Sequence, residues 1–124
     1  MKYLIWVIVE IAVVFVLLSL PANNFSNQSG WLHLLPVDKI VHVILFGSLA
    51  WSFFCFFDKA SLQALKSVRA KALAMIFCIV FGIAMEYYQK WYVPSRGFEV
   101  KDMIADAAGV LLALPLYQIW KKRQ

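Results

Sequence analysis

Apolar and polar positions alternate along this chain in long blocks. Four blocks approach the ~20 apolar residues that a helix needs to cross ~30 Å of hydrocarbon. The first runs from Tyr3 to Leu20 and stops at Pro21, before the polar stretch Ala22 to Gly30. The others run from about Lys39 to Phe57, Ala72 to Tyr92 and Met103 to Trp120, the last two separated by a short segment with Pro94 and Gly97. The pattern predicts an all-α membrane protein, a four-helix transmembrane bundle over helices 3–20, 39–57, 72–92 and 103–120, forming one integral membrane domain over residues 1–124. The first block reads as a span rather than a cleaved signal: it is long, carries Glu10 near its middle, and offers no clear pair of small residues before a cleavage point. Pro115 predicts a kink or loosened turn in the fourth helix.

Composition excludes a soluble domain. Of 124 residues, 63% are apolar and 15% charged, and mean hydropathy is +0.73; a water-soluble core this small cannot hide that surface. The net charge of +5 reads as topology rather than nucleic-acid binding. Lys2, Lys59, Lys66, Arg69, Lys71, Lys121, Lys122 and Arg123 fall on one side; Lys39, Lys90, Arg96 and Lys101 fall on the other. The basic side is expected to be cytoplasmic, together with both termini. Leu62, Leu65 and Val68 in the basic middle loop are spaced to lie on the inner leaflet, although a solvated loop explains them as well. Cys55 and Cys78 have no metal-type spacing and read as packing residues. Asn24-Phe25-Ser26 and Asn27-Gln28-Ser29 match the glycosylation acceptor pattern, which a short Asn-rich loop also produces by chance.

Charges inside spans are costly and mark candidate sites. Asp38, Lys39 and His42 open the second helix, Glu86 and Gln89 lie near the outer end of the third, and Asp102 and Asp106 open the fourth. At 100° per residue, the pairs Asp38/His42 and Asp102/Asp106 are each about 40° apart and Glu86/Gln89 about 60°, so each pair shares a face. Gly82 and Gly109 share those stripes and predict close helix approach. About 14 apolar residues, roughly 21 Å of helix, separate the innermost polar groups from the cytoplasmic ends, which puts the cluster below the outer surface. First-turn aspartates favour helix N-termini and need no further explanation, but Glu86 lies at a C-terminal end, where the helix dipole opposes it. Arg96 is its candidate partner, with an exposed loop arginine as the alternative. Glu10 lies about 10 Å from the cytoplasmic start of its helix and is expected to form a separate, structural hydrogen bond. Asp38-x-Ile40-x-His42 and Asp102-x-Ile104-x-Asp106 also share a faint internal similarity.

Leu35-Pro36-Val37-Asp38-Lys39-Ile40-Val41-His42 with Phe46-Gly47 resembles the helix-two signature of the VanZ-like membrane proteins. Glu86-Tyr87-Tyr88-Gln89, Pro94-Ser95-Arg96 and Asp102 to Gly109 resemble that family's Glu-x-x-Gln, Arg and Asp-x-x-Ala-Asn-x-x-Gly elements, in order. Asp106 stands where the family pattern has Asn, which adds a charge. The resemblance implies a multi-pass protein of the bacterial cytoplasmic (inner) membrane, in a family named for low-level teicoplanin resistance; it implies no settled reaction.

The leading expectation is an outward polar cluster of Asp38, Lys39, His42, Glu86, Gln89, Arg96, Asp102 and Asp106 that binds a lipid headgroup, an envelope glycolipid or a glycopeptide-related ligand. Membrane lipids are then the partners, with no cofactor or metal assigned and no nucleic acid. The alternatives are a membrane-embedded hydrolase or transferase with His42 as base or metal ligand, and a small transport or assembly subunit requiring a homo-oligomer or a larger partner. Five of the seven acids, Asp38, Glu86, Glu99, Asp102 and Asp106, gather at or near the outer end.

Overall fold

The computed structural model describes residues 1–21 and 37–124; Asn24 to Ser29, with both acceptor matches, and Leu35-Pro36 lie outside them. Four α-helices follow in order: α1 (Lys2–Leu18), α2 (Val37–Lys59), α3 (Val68–Tyr92) and α4 (Val100–Lys122). There is no strand among the described residues. By length and composition α2, α3 and α4 can each cross a membrane. The 17-residue α1 is about 25 Å long at 1.5 Å per residue.

The helix ends follow local chemistry. Ser67 caps α3 by accepting the Ala70 N–H at 3.2 Å. This cap starts α3 four residues earlier than its apolar run, and the basic loop keeps only one 3-10 turn, Gln63–Lys66, in place of a helix lying on the leaflet. The α3–α4 connection reverses through Ser95 at φ 59°, a left-handed position uncommon outside glycine. Pro115 does not break α4, which continues through it.

Polar contacts fix the helix directions. Asp58 at the end of α2 meets Lys71 from the start of α3 and Lys121 from the end of α4. His42 near the start of α2 meets Asp106 near the start of α4. Helices α2 and α4 therefore run parallel, and α1 and α3 run against them.

The bundle is apolar outside as well as inside. Ile5, Ile8, Val80, Ile104 and Leu111 are exposed, whereas His42, Glu86, Gln89, Asp102 and Asp106 are buried. Water would reverse that arrangement; lipid accommodates it. The central crossing is α2 on α4, where two glycines remove the side-chain layer. A Cβ on Gly47 would lie 3.3 Å from the Gly109 carbonyl oxygen, and one on Gly109 would run into the Val43 carbonyl. Phe46, Leu49, Phe54, Cys78 and Val110 fill the interior below, which bears out a packing role for the buried cysteine, and Cys55 is partly buried against the same core.

Candidate functional site

Parallel packing sets Asp38 and His42 on α2 beside Asp102 and Asp106 on α4, one helical turn apart on each helix. The repeated Asp-x-Ile motif thus forms two rungs at one end of the bundle. On the inner rung, His42 Nδ1 lies 2.8 Å from Asp106 Oδ1. A carboxylate accepts, so Nδ1 carries the proton and Asp106 fixes the ring. His42 Nε2 is 3.9 Å from Asp102 Oδ2, beyond hydrogen-bond reach.

The outer rung is closed by cations. Lys39 Nζ donates at 2.8 Å to both Glu99 Oε2 and Asp102 Oδ1. Arg96 Nη1 approaches Asp38 Oδ1 at 3.4 Å. The third wall comes from α3, where Glu86 is fully buried. Its Oε2 accepts the backbone N–H of Glu99 at 3.0 Å, and one ligand-type atom from each of His42, Glu86 and Asp106 lies within 4.8 Å of the others.

The candidate Glu86–Arg96 pair does not form. The α3–α4 turn instead folds the backbone N–H of Glu99, the residue before α4, onto Glu86, and that donor offsets the unfavourable helix-end position. Arg96 Nε donates at 3.0 Å to the Leu20 carbonyl, and Gln89 Nε2 donates at 2.9 Å to the Leu18 carbonyl. Both side chains therefore satisfy carbonyls left open where α1 ends. Arg96 also joins the rim, through Asp38, whereas Gln89 is a packing anchor for α1.

Two features escape the spacing argument. Glu99 belongs to the cluster twice, through its carboxylate on Lys39 and its N–H on Glu86; lying between two spans, it has no periodic partner to reveal it. At the opposite end, Asp58 accepts from Tyr117 Oη at 2.8 Å and from Lys121 at 2.6 Å, and pairs with Lys71 at 2.9 Å. That latch joins three helices at the basic end. Only the adjacency of an acid to a strongly basic loop hinted at it.

Glu10 stands apart. It lines a cleft of about 610 Å³ shared by α1, α2 and α4, beside Tyr3, Trp6, Trp51 and Leu112. The structural hydrogen bond expected for it does not form among the described residues.

Gly82 makes the room the inner rung uses. A Cβ there would come within 2.7 Å of Asp106 Oδ2 and 3.1 Å of Asp106 Cβ. Gly82→Ala is expected to displace the Asp106 carboxylate and cost about 1–3 kcal/mol. Thermal unfolding in detergent measures this; a wild-type midpoint would contradict the geometry.

A helical bundle with lipid-compatible walls, holding one histidine and three buried carboxylates at one end, defines a multi-pass membrane protein with an internal polar site. The family model described as VanZ/LLP1 matches residues 3–121, and the chain belongs to that family. It is 33% identical over 103 residues to uncharacterized protein C11E3.10 of Schizosaccharomyces pombe, an alignment covering 80% of this chain and 59% of that protein. This chain thus spans about three fifths of that relative's length. No solved structure matches it.

Proposed function

We propose that this chain is a single four-span domain of a bacterial cytoplasmic membrane, with both termini inside, and that its outward cluster binds the hydroxyl-bearing headgroup of an envelope lipid or glycolipid. One observation carries the reading: buried acceptors without donors. Glu86 Oε1 and Asp106 Oδ2 are buried and lack hydrogen-bond partners, a costly state that a sugar or glycerol hydroxyl relieves. The rim refines the ligand class. Lys39 and Arg96 are already engaged by Glu99, Asp102 and Asp38, which favours a polyhydroxyl group over a bare phosphate.

Topology rests on two supports. Eight basic residues at the opposite end against four near the cluster favour a cytoplasmic basic end. The Leu18 carbonyl at the end of α1 and the Leu20 carbonyl just beyond it, bound by Gln89 and Arg96, favour α1 as the fourth span, because unsatisfied carbonyls are costly in lipid. The fission-yeast similarity means that glycopeptide resistance need not be the task; a headgroup chemistry common to many membranes suffices.

The test is lipid retention. Protein purified from membranes of its host in mild detergent is examined by native mass spectrometry for co-purified lipids, as wild type, Glu86→Gln and exposed-turn Lys66→Gln. Wild type and Lys66→Gln are expected to keep the same hydroxylated lipid, and Glu86→Gln to retain about tenfold less, the equivalent of one charged hydrogen bond. Equal retention by Glu86→Gln sinks the reading.

A second reading has its own observation. A histidine whose Nδ1 is held by a carboxylate while Nε2 stays free is the arrangement of an oriented general base. Headgroup release by wild type, abolished in His42→Gln with lipid retention intact, would establish that reaction.

A further inference from the structure

Three buried side-chain atoms lack a hydrogen-bond partner among the described residues: His42 Nε2, Glu86 Oε1 and Asp106 Oδ2. They belong to the three residues that converge from α2, α3 and α4 with ligand-type atoms within 4.8 Å of one another. All three residues are 0–1% exposed. One unpaired buried polar atom costs about 1–3 kcal/mol, so three at one point call for a common explanation.

Charge narrows it. Asp38, Glu99 and Asp102 on the rim have Arg96 and Lys39 as counterions. No lysine or arginine pairs with Glu86 or Asp106 among the described residues, and two carboxylates enclosed with a single imidazole must be neutralised by protons or by a cation. A single cation would neutralise both carboxylates at once, where protons would have to be placed on each.

A cation engages the two carboxylates directly and reaches the imidazole through Nδ1. An ion taking Nδ1 of His42 shifts the single ring proton from Nδ1 to Nε2, leaving the Nε2–H tautomer with no net proton released. That N–H faces Asp102 Oδ2, now 3.9 Å away, and Asp102 is itself held by Lys39. A carboxylate behind a metal-bound imidazole is the usual means of fixing its orientation. The Glu86 and Asp106 oxygens complete three ligands, and modest side-chain rotation closes their spacing to bonds of about 2.0–2.2 Å.

We propose that His42, Glu86 and Asp106 form a binding site for one divalent transition-metal cation, of the Zn²⁺, Mn²⁺ or Fe²⁺ class. One imidazole and two carboxylates suit that class, whereas Mg²⁺ and Ca²⁺ favour all-oxygen sets. Three protein ligands leave coordination positions open, where hydroxyl oxygens of a headgroup can bind. The inference rests on the same cluster as the headgroup reading, and its test uses the metal alone.

Chelator-stripped full-length protein in detergent is titrated with Zn²⁺ and Mn²⁺ by calorimetry, and with Co²⁺ by visible absorption, without added lipid. Wild type is expected to take up one ion per chain. Glu86→Gln is expected to weaken binding by roughly tenfold or more, and Lys66→Gln to leave it unchanged. Circular dichroism confirms that each variant is folded, and Asp106→Asn, which keeps an acceptor toward His42, serves as the second variant if Glu86→Gln unfolds. No uptake by wild type at millimolar ion, or uptake by both cluster variants at wild-type affinity, overturns the site. Lipid retention measured with the chelator present separates that failure from failure of headgroup binding.

Discussion

Gly109→Ala is expected to lower unfolding stability by about 3 kcal/mol, near the top of the usual range for overpacking. The added methyl would run into the Val43 carbonyl oxygen and sit 3.0 Å from both Val43 C and Val43 Cα. These are backbone atoms inside a helix, so no rotamer change relieves the contact; α4 has to move away from α2. Tight helix approach at small residues is a main source of stability where lipid competes equally for apolar surface. The displacement also pulls Asp106 from His42, so the proposed headgroup and metal binding are expected to fall with the fold. Gly47→Ala is the internal control. Its Cβ would meet the Gly109 carbonyl oxygen at 3.3 Å, an adjustment of tenths of an ångström, and its cost is expected to stay below about 1 kcal/mol. Reversible unfolding in mixed detergent micelles gives both values; equal costs would mean that the crossing is looser than described.

His42→Ala is expected to cost about 3 kcal/mol, because it leaves a buried carboxylate without its hydrogen-bond donor. Asp106 then loses the donor at 2.8 Å and stays enclosed at 1% exposure. Asp106→Asn behaves differently. The carboxamide oxygen still accepts from His42 Nδ1 and a negative charge leaves the cluster, so the cost is expected to be about 1 kcal/mol or less. The asymmetry between partners distinguishes an electrostatic pair from simple filling of space. Equal losses in the same unfolding assay would favour filling.

What the chain spelled out, and what it did not, divides along a physical line. Spans are local properties: an apolar run with a stop such as Pro21 needs no knowledge of neighbours, although the Ser67 cap, which starts α3 before its apolar run, was not read from the sequence. The faces of Asp38/His42, Asp102/Asp106 and Glu86 follow from helical periodicity alone, as does the placing of Gly82 and Gly109 on those stripes. Partners across helices are another matter. Arg96 and Gln89 sit at plausible spacing for the cluster, yet they reach the α1 carbonyls, because the path of the turn through Ser95 and the end of α1 decide what lies within their reach. Glu99 was legible as an outer acid but not as a member of the site, since its role depends on a backbone N–H that any residue there would supply. The Asp58 latch depends on Tyr117 and Lys121 arriving from a helix far along the chain.

The central claim is that charges from separate helices make one site rather than independent helix-end features. A double-mutant cycle between His42 and Asp106, using His42→Ala, Asp106→Ala and the double variant with unfolding free energies in one detergent system, tests it most directly. A coupling of at least about 1 kcal/mol is expected, in the range found for residues in direct contact. Additivity within about 0.5 kcal/mol would mean that the two side chains do not form a unit, and would contradict the site.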